Sequence, residues 1–230
     1  MKVKKRLVFC LVFCLVFTMF SGAAYGASGR YAVVTEASGT VTVNKAGGAL
    51  NIRVYPGMTL QEGDWISVGP GGHLVIRTDR DDEITIGENW RGTLSRLRTN
   101  GQGGAETVVK TWSGSMYNHV QKKTDPDSSY RVETPSTDMD ARGTHFMVTV
   151  DPYTGLIKLV VNAGIVDRDA GTDNPVLPSQ QVTVFSGMDS VPAIEYVNPE
   201  DITVHVSTEV LAKMLRNMEP FGFPVYASNA

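Results

Sequence analysis

Arg142-Gly143-Thr144-His145-Phe146-Met147-Val148-Thr149-Val150 is the stretch on which the fold turns. From Phe146 onward Phe, Val and Val alternate with Met and Thr. Period-two patterning in β-branched and aromatic residues is the signature of a strand. Asp151-Pro152-Tyr153-Thr154-Gly155 follows, and then Ile157, Leu159 and Val161 resume the same period. Turn-forming residues between two alternating runs predict a hairpin. The same reading extends outward in both directions. Val41 and Val43, Ile52 and Val54, Leu74 and Ile76, Ile84 and Ile86, and Val182 and Val184 each alternate with polar neighbours. Gly47-Gly48, Pro56-Gly57, Gly69-Pro70-Gly71-Gly72 and Asp125-Pro126-Asp127 punctuate them. No helical period of ten or more residues occurs before residue 199. The predicted fold is all-β over 31–198.

Both ends differ from this centre. Lys2, Lys4, Lys5 and Arg6 precede an apolar run from Leu7 to Phe20, and Ser21 to Ala27 is rich in small residues. This order predicts a signal peptide over 1–26, cut after Gly26 with Ala24 at the minus-three position, or else after Ala24. The apolar run is 14 residues long, short of the roughly 20 that span a bilayer. Mass spectrometry of the secreted protein is expected to find Ala27 at the N-terminus; retention of Met1 would refute the cut. At the other end, over 199–230, Ser207 or Thr208 can cap a helix. Val210, Leu211, Met214, Leu215 and Met218 share one face of it before Pro220 stops it. One C-terminal amphipathic helix of about ten residues is predicted, its stripe packed on the β domain.

Composition narrows the function classes. The chain has 230 residues, 42% hydrophobic and 20% charged, with formal charge −3. Loss of the four N-terminal cations makes it more acidic still, which argues against a nucleic-acid partner. Cys10 and Cys14 are the only cysteines and both precede residue 26, so the mature chain is expected to hold no disulfide and no thiolate metal site. Phe13 before Cys14 does not fit a lipidation site. No membrane span is expected after cleavage.

The ordered motifs carry a resemblance. Gly39-Thr40-Val41-Thr42-Val43, Pro56 to Ile66 with its Gly63-Asp64 step, Glu133-Thr134-Pro135, Ala141-Arg142-Gly143-Thr144-His145-Phe146-Met147-Val148, and Asn162-Ala163-Gly164-Ile165-Val166 follow one another. In this order they resemble the FecR domain family, over about residues 33–168. The resemblance implies a β-rich extracytoplasmic module, layered and solenoid-like, with a β-sandwich as the alternative arrangement. In the best-known members that module follows a cytoplasmic anti-sigma segment and a membrane span, and takes a signal from an outer-membrane receptor. Here the expected signal peptide stands where that cytoplasmic segment would be.

The motif residues read structurally. Gly63 suits a positive φ between strands. Asp64 can bond downstream backbone amides. Gly143 before Thr144 permits close chain approach or a bulge. Arg142 can pair with Asp138 or Asp140, or lie against carbonyls. The Gly-rich loop from Asn100 to Ala105 reads as a mobile excursion. Trp65 reads as core, whereas Trp90, Trp112 and Tyr117, each near a polar or turn segment, form a candidate partner surface. An exposed Trp can stack on a sugar ring or anchor a protein.

No pattern of catalysis emerges. Asp79, Asp81, Asp82 and Glu83 cluster, yet Ile84 and Trp90 stand where an EF-hand loop needs Gly and Glu. His73, His119, His145 and His205 show no zinc-ligand spacing, and no G-x-S-x-G or phosphate loop occurs. The expectation is an exported, non-enzymatic binding or scaffold module at the cell envelope, without cofactor or metal. Its partner would be an envelope protein or a cell-wall glycan. A sensor component of envelope signalling and a glycan-active enzyme are the alternatives.

Overall fold

The computed structural model describes residues 29–168, 175–184 and 194–196, with Val210 and Ala212 beyond them. The predicted C-terminal helix otherwise lies outside the described residues, as does the N-terminal segment. The described strands are, in chain order, β1 (Ala32–Ser38), β2 (Val41–Asn44), β3 (Ile52–Arg53), β4 (Thr59–Leu60), β5 (Trp65–Val68) and β6 (His73–Thr78). Then come β7 (Glu83–Ile86), β8 (Arg91–Thr99), β9 (Ala105–His119), β10 (Ser129–Glu133), β11 (Asp138–Ala141) and β12 (His145–Val150). The series closes with β13 (Ile157–Ala163), β14 (Val166–Arg168), β15 (Pro175–Val176), β16 (Gln180–Val184) and β17 (Ile194–Tyr196). The protein is all-β, as the alternation predicts.

These strands form two layers. Sheet A runs β3-β2-β5-β8-β9-β10-β11-β14-β15. Sheet B runs β4-β1-β6-β7-β9-β12-β13-β16-β17. After β9 the chain lays successive pairs of strands into alternate layers: β10 and β11 in A, β12 and β13 in B, β14 and β15 in A, β16 and β17 in B. That winding gives the layered character the motif order implies. All described pairings are antiparallel except β9 with β10.

The long strand β9 belongs to both layers. Its residues up to Ser113 pair with β8 in sheet A, and those from Gly114 pair with β12 in sheet B. The bend falls at Gly114, which has φ +83°. A Cβ there would lie 2.6 Å from Trp90 Cα, so only glycine lets the strand cross while Trp90 packs beneath it.

Apolar residues from the inner face of each layer meet in one core. Val41, Val43, Ile66, Val68, Leu94 and Val109 come from sheet A; Leu74, Ile84, Met116, Phe146, Val148, Val150 and Leu159 come from sheet B. Each large side chain buried here contributes on the order of 1.5–3 kcal/mol. Tyr130 packs edge-on to Phe146, centroids 6.4 Å apart, and its hydroxyl donates to Asn118 Oδ1 at 2.8 Å. Burial keeps that hydroxyl protonated well above the ordinary phenol range.

Two loops differ in an instructive way. The turn after β12 is a hairpin whose Asp151 Oδ1 accepts the amides of Tyr153 and Thr154 at 2.8 and 3.0 Å. The Gly-rich segment after Asn100, read from sequence as an excursion, is instead a closed turn. Asn100 Oδ1 accepts the amides of Gln102 and Gly104, and Asn100 Nδ2 donates to Asp127 O at 2.7 Å. A Cβ on Gly104 would lie 2.4 Å from the Asp127 backbone. The glycine there answers a need for close packing.

Candidate binding face

The motif residues occupy structural positions. Asp64 is buried, and its carboxylate accepts the Gln61 amide at 2.9 Å, the Ala46 amide at 3.1 Å and the Lys45 ammonium. These partners lie upstream, not downstream as the sequence suggested, because the β2–β3 connection folds back over the turn. Gly63, with φ +85°, sits under Ala46 Cβ, where a Cβ would approach to 2.9 Å. Arg142 donates to the carbonyl oxygens of Pro126 and, at 3.3 Å, Ser128. Asp140 is engaged by Arg131 at 2.8 Å. Thr144 is buried and its Oγ1 donates to Ile165 O at 3.1 Å.

Gly143 has φ +61°, and a Cβ there would stand 3.0 Å from Lys122 Cα. Gly143→Val is therefore expected to cost roughly 2 kcal/mol or more, from backbone strain and crowding together. The exposed substitution Glu36→Ala should stay within about 0.5 kcal/mol. Urea melts of the two variants decide it, and equal midpoints would remove the constraint assigned to Gly143.

Two of the three aromatics read as a partner surface are buried, Trp90 in the core between the layers and Tyr117 on the opposite face of sheet B. Trp90 is 0% exposed and Tyr117 1% exposed. The polar neighbours of Trp90 misled: its indole points inward with its far edge against Gly92, while Gly114 lies against the Trp90 backbone. Tyr117 lies in the middle of sheet B, paired with Thr85 and Met147. Trp112 is half-buried on the outer face of sheet A.

Trp112 has a neighbour the sequence reading assigned to the core. On β5, Ile66 and Val68 take the inward positions, which turns Trp65 and Ser67 outward. The Trp65 and Trp112 rings stack with centroids 4.5 Å apart at 33°. A β-bulge brings them together. Arg91 pairs with Ser113 and Gly92 with Thr111, which leaves Trp112 as the extra residue of β9. Lys110 Nζ lies 5.6 Å from the Trp112 ring centroid and 3.7 Å from Glu133 Oε2.

An open hollow of about 330 Å³ adjoins the pair, lined by Thr40, Thr42, Trp65, Ser67, Val68, Gly69 and Arg91. Through Val68, Gly69 and Arg91 it meets a larger one of about 780 Å³, which reaches Glu88 and Tyr153. Tyr153 is 95% exposed. The Arg91 side chain is exposed and, among the described residues, its guanidinium makes no hydrogen bond or ion pair. The face thus offers an aromatic ledge, hydroxyl groups and one unpaired guanidinium. Such a set suits stacking and hydrogen bonding better than bond cleavage.

The buried charged groups are engaged elsewhere. Arg30 meets Asp79 at 2.8 Å and Thr107 Oγ1 at 2.8 Å; Lys123 meets Asp82 at 2.6 Å. The Asp79–Glu83 turn is thus partly buried and cation-paired. Among the described residues no three His, Cys, Asp or Glu side chains are placed to hold a metal ion. The fold does bring together one pair that sequence spacing could not show. His119 and His145 are cross-strand partners with ring centroids 3.9 Å apart. Also among the described residues, no helix is long and apolar enough to cross a membrane.

No protein-family model matches the sequence, and no curated protein matches it. Among solved structures it is similar to two crystal structures, each of a "putative anti-sigma factor" from Parabacteroides distasonis. The 2.50 Å structure is 19% identical with TM-score 0.49, over 60% of this chain and 62% of that one. The 1.65 Å structure is 17% identical with TM-score 0.49, over 68% of this chain and 74% of that one. The match therefore spans less than two thirds of the first neighbour's own length.

Proposed function

We propose that the chain is a non-catalytic, FecR-type interaction module exported to the cell envelope, and that it presents the outer face of sheet A to a protein or glycan partner. The observation that carries this reading is the stacked Trp65–Trp112 pair beside an open hollow and an unpaired Arg91. Large amphipathic rings on a flat strand surface supply contact area at little entropic cost. The engaged state of the buried carboxylates fits a scaffold better than an acid–base centre. The second reading, a sensing part of an envelope-signalling assembly, is favoured by the motif order over residues 33–168.

Pull-down from native envelopes tests the module. Recovery of a partner is expected. Recovery of none, with measurable turnover of an envelope polysaccharide, would sink it in favour of an enzyme. For the second reading, deletion of the gene should alter envelope-stress transcription, and an unchanged transcript profile would remove that role.

A further inference from the structure

Over most of the outer face of sheet A, each cation has a carboxylate beside it. Arg96 and Arg98 meet Glu106 at 2.6 and 2.8 Å, Lys110 meets Glu133 at 3.7 Å, and Arg131 meets Asp140 at 2.8 Å. One cross-strand row departs from this pattern. Arg53, Thr42, Ser67 and Arg91 stand residue opposite residue across β3, β2, β5 and β8. All four point outward, because Val54, Val43, Ile66 and Trp90 take the core positions beside them. Arg53 is exposed beyond the hollow. Like that of Arg91, its guanidinium makes no hydrogen bond or ion pair among the described residues. The row contains no carboxylate. The two arginines are three strand steps apart, about 14 Å at the backbone. The Trp65–Trp112 stack lies alongside, with Trp65 two residues from Ser67 on β5.

We infer, resting on the function proposed above, that this row binds a carboxylate-bearing polysaccharide, whose sugar rings stack on the Trp65–Trp112 pair and whose carboxylates meet Arg53 and Arg91. Charge complementarity selects an anion. In a chain of formal charge −3, two guanidinium groups face water with no acid beside them. The planar fork of each matches a planar carboxylate bidentately. A phosphate site commonly recruits free backbone amides or a helix N-terminus, whereas this row sits on paired strands. The separation of the two cations fits charges repeated along an extended chain better than one small anion. Between them, Thr42 and Ser67 offer hydroxyls to a ligand rich in hydroxyls. A protein anchor seats its aromatic ring in an apolar, charge-depleted centre. Here guanidinium and hydroxyl groups flank the rings instead. Past Arg91 the larger hollow is lined by Glu88 and Asp151, which confines the anion-reading stretch to the row itself.

Calorimetric titration of the purified chain tests the assignment. The probes are polygalacturonate, alginate and hyaluronate, the methyl ester of each, and polyphosphate as a polyanion without rings. At least one of the three acidic polysaccharides is expected to bind, and its methyl ester and polyphosphate should each bind about tenfold more weakly or worse. Arg53→Gln/Arg91→Gln should lower that affinity about tenfold or more and flatten its dependence on salt. Both positions are exposed, so the variant should melt within a few degrees of the wild type. Absence of binding to all three acidic polysaccharides, undiminished binding by the folded arginine variant, or polyphosphate binding as tight as the best polysaccharide would each overturn the assignment. Loss of envelope binding in Trp65→Ser/Trp112→Ser, with no acidic polysaccharide bound by the wild type, would assign the face to a protein partner and leave the proposed function standing. Undiminished envelope binding by that tryptophan variant would remove the face itself.

Discussion

Trp90→Ala is expected to be among the most destabilising single changes in this protein, at about 3–5 kcal/mol, the range for removing a large aromatic from a close-packed core. Trp90 is wholly buried, and the space it fills is unusually confined. A Cβ on Gly92 would lie 2.2 Å from the far edge of the indole, and one on Gly114 would lie 2.6 Å from Trp90 Cα. The indole edge thus lies against the Gly92 backbone and the Trp90 main chain against Gly114, so backbone on both sides limits collapse around a smaller side chain. The Trp90 main chain is also held in place, since the Val68 amide donates to its carbonyl oxygen at 2.9 Å. Thermal melts should show a fall of about 6–20 °C for a chain of this size. A fall below 3 °C would mean that the space closes.

Gly114→Val should destabilise by at least about 3 kcal/mol, from two sources. A valine at φ +83° is strained whatever its neighbours, costing about 1–3 kcal/mol. Its Cβ also collides with backbone, where overpacking adds a similar amount. Because the nearest atoms are Trp90 Cα and N, not the indole, removing the indole should not rescue the variant. Gly92→Ala meets the indole edge first, so Trp90→Ala should relieve part of its cost. A double-mutant cycle on the two glycines distinguishes these cases. Equal rescue by Trp90→Ala at both positions would contradict the geometry.

These two sites also show what a sequence conceals. The strands were legible because burial on one face imposes a period of two, and Phe146, Val148, Val150, Ile157, Leu159 and Val161 all enter the core. Trp90 was not legible. Its neighbours Glu88, Asn89 and Arg91 are polar, and Gly114, which lets its backbone lie close, comes from another strand. Trp65 and Trp112 were misassigned or half-read for a related reason. Trp65 faces out because Ile66 and Val68 hold the inward positions, and Trp112 reaches it through a bulge that local alternation does not encode. The partners of Asp64, Lys45 and Ala46, lie in a loop that returns from earlier in the chain. At Asn100–Gly104 a glycine-rich composition suggested looseness, whereas the Asn100 side chain closes the turn.

On the proposed function, the protein works by contact through the outer face of sheet A. Co-sedimentation of the purified chain with native envelopes of its source organism tests it most directly, with the wild type set against a Trp65→Ser/Trp112→Ser variant. Both residues lie outside the core, so the variant should melt within a few degrees of the wild type. Its apparent affinity is expected to fall about tenfold or more, a loss of about 1.4 kcal/mol or more from removing an aromatic anchor. Undiminished binding by a folded double variant would contradict it and move the contact surface elsewhere on the molecule.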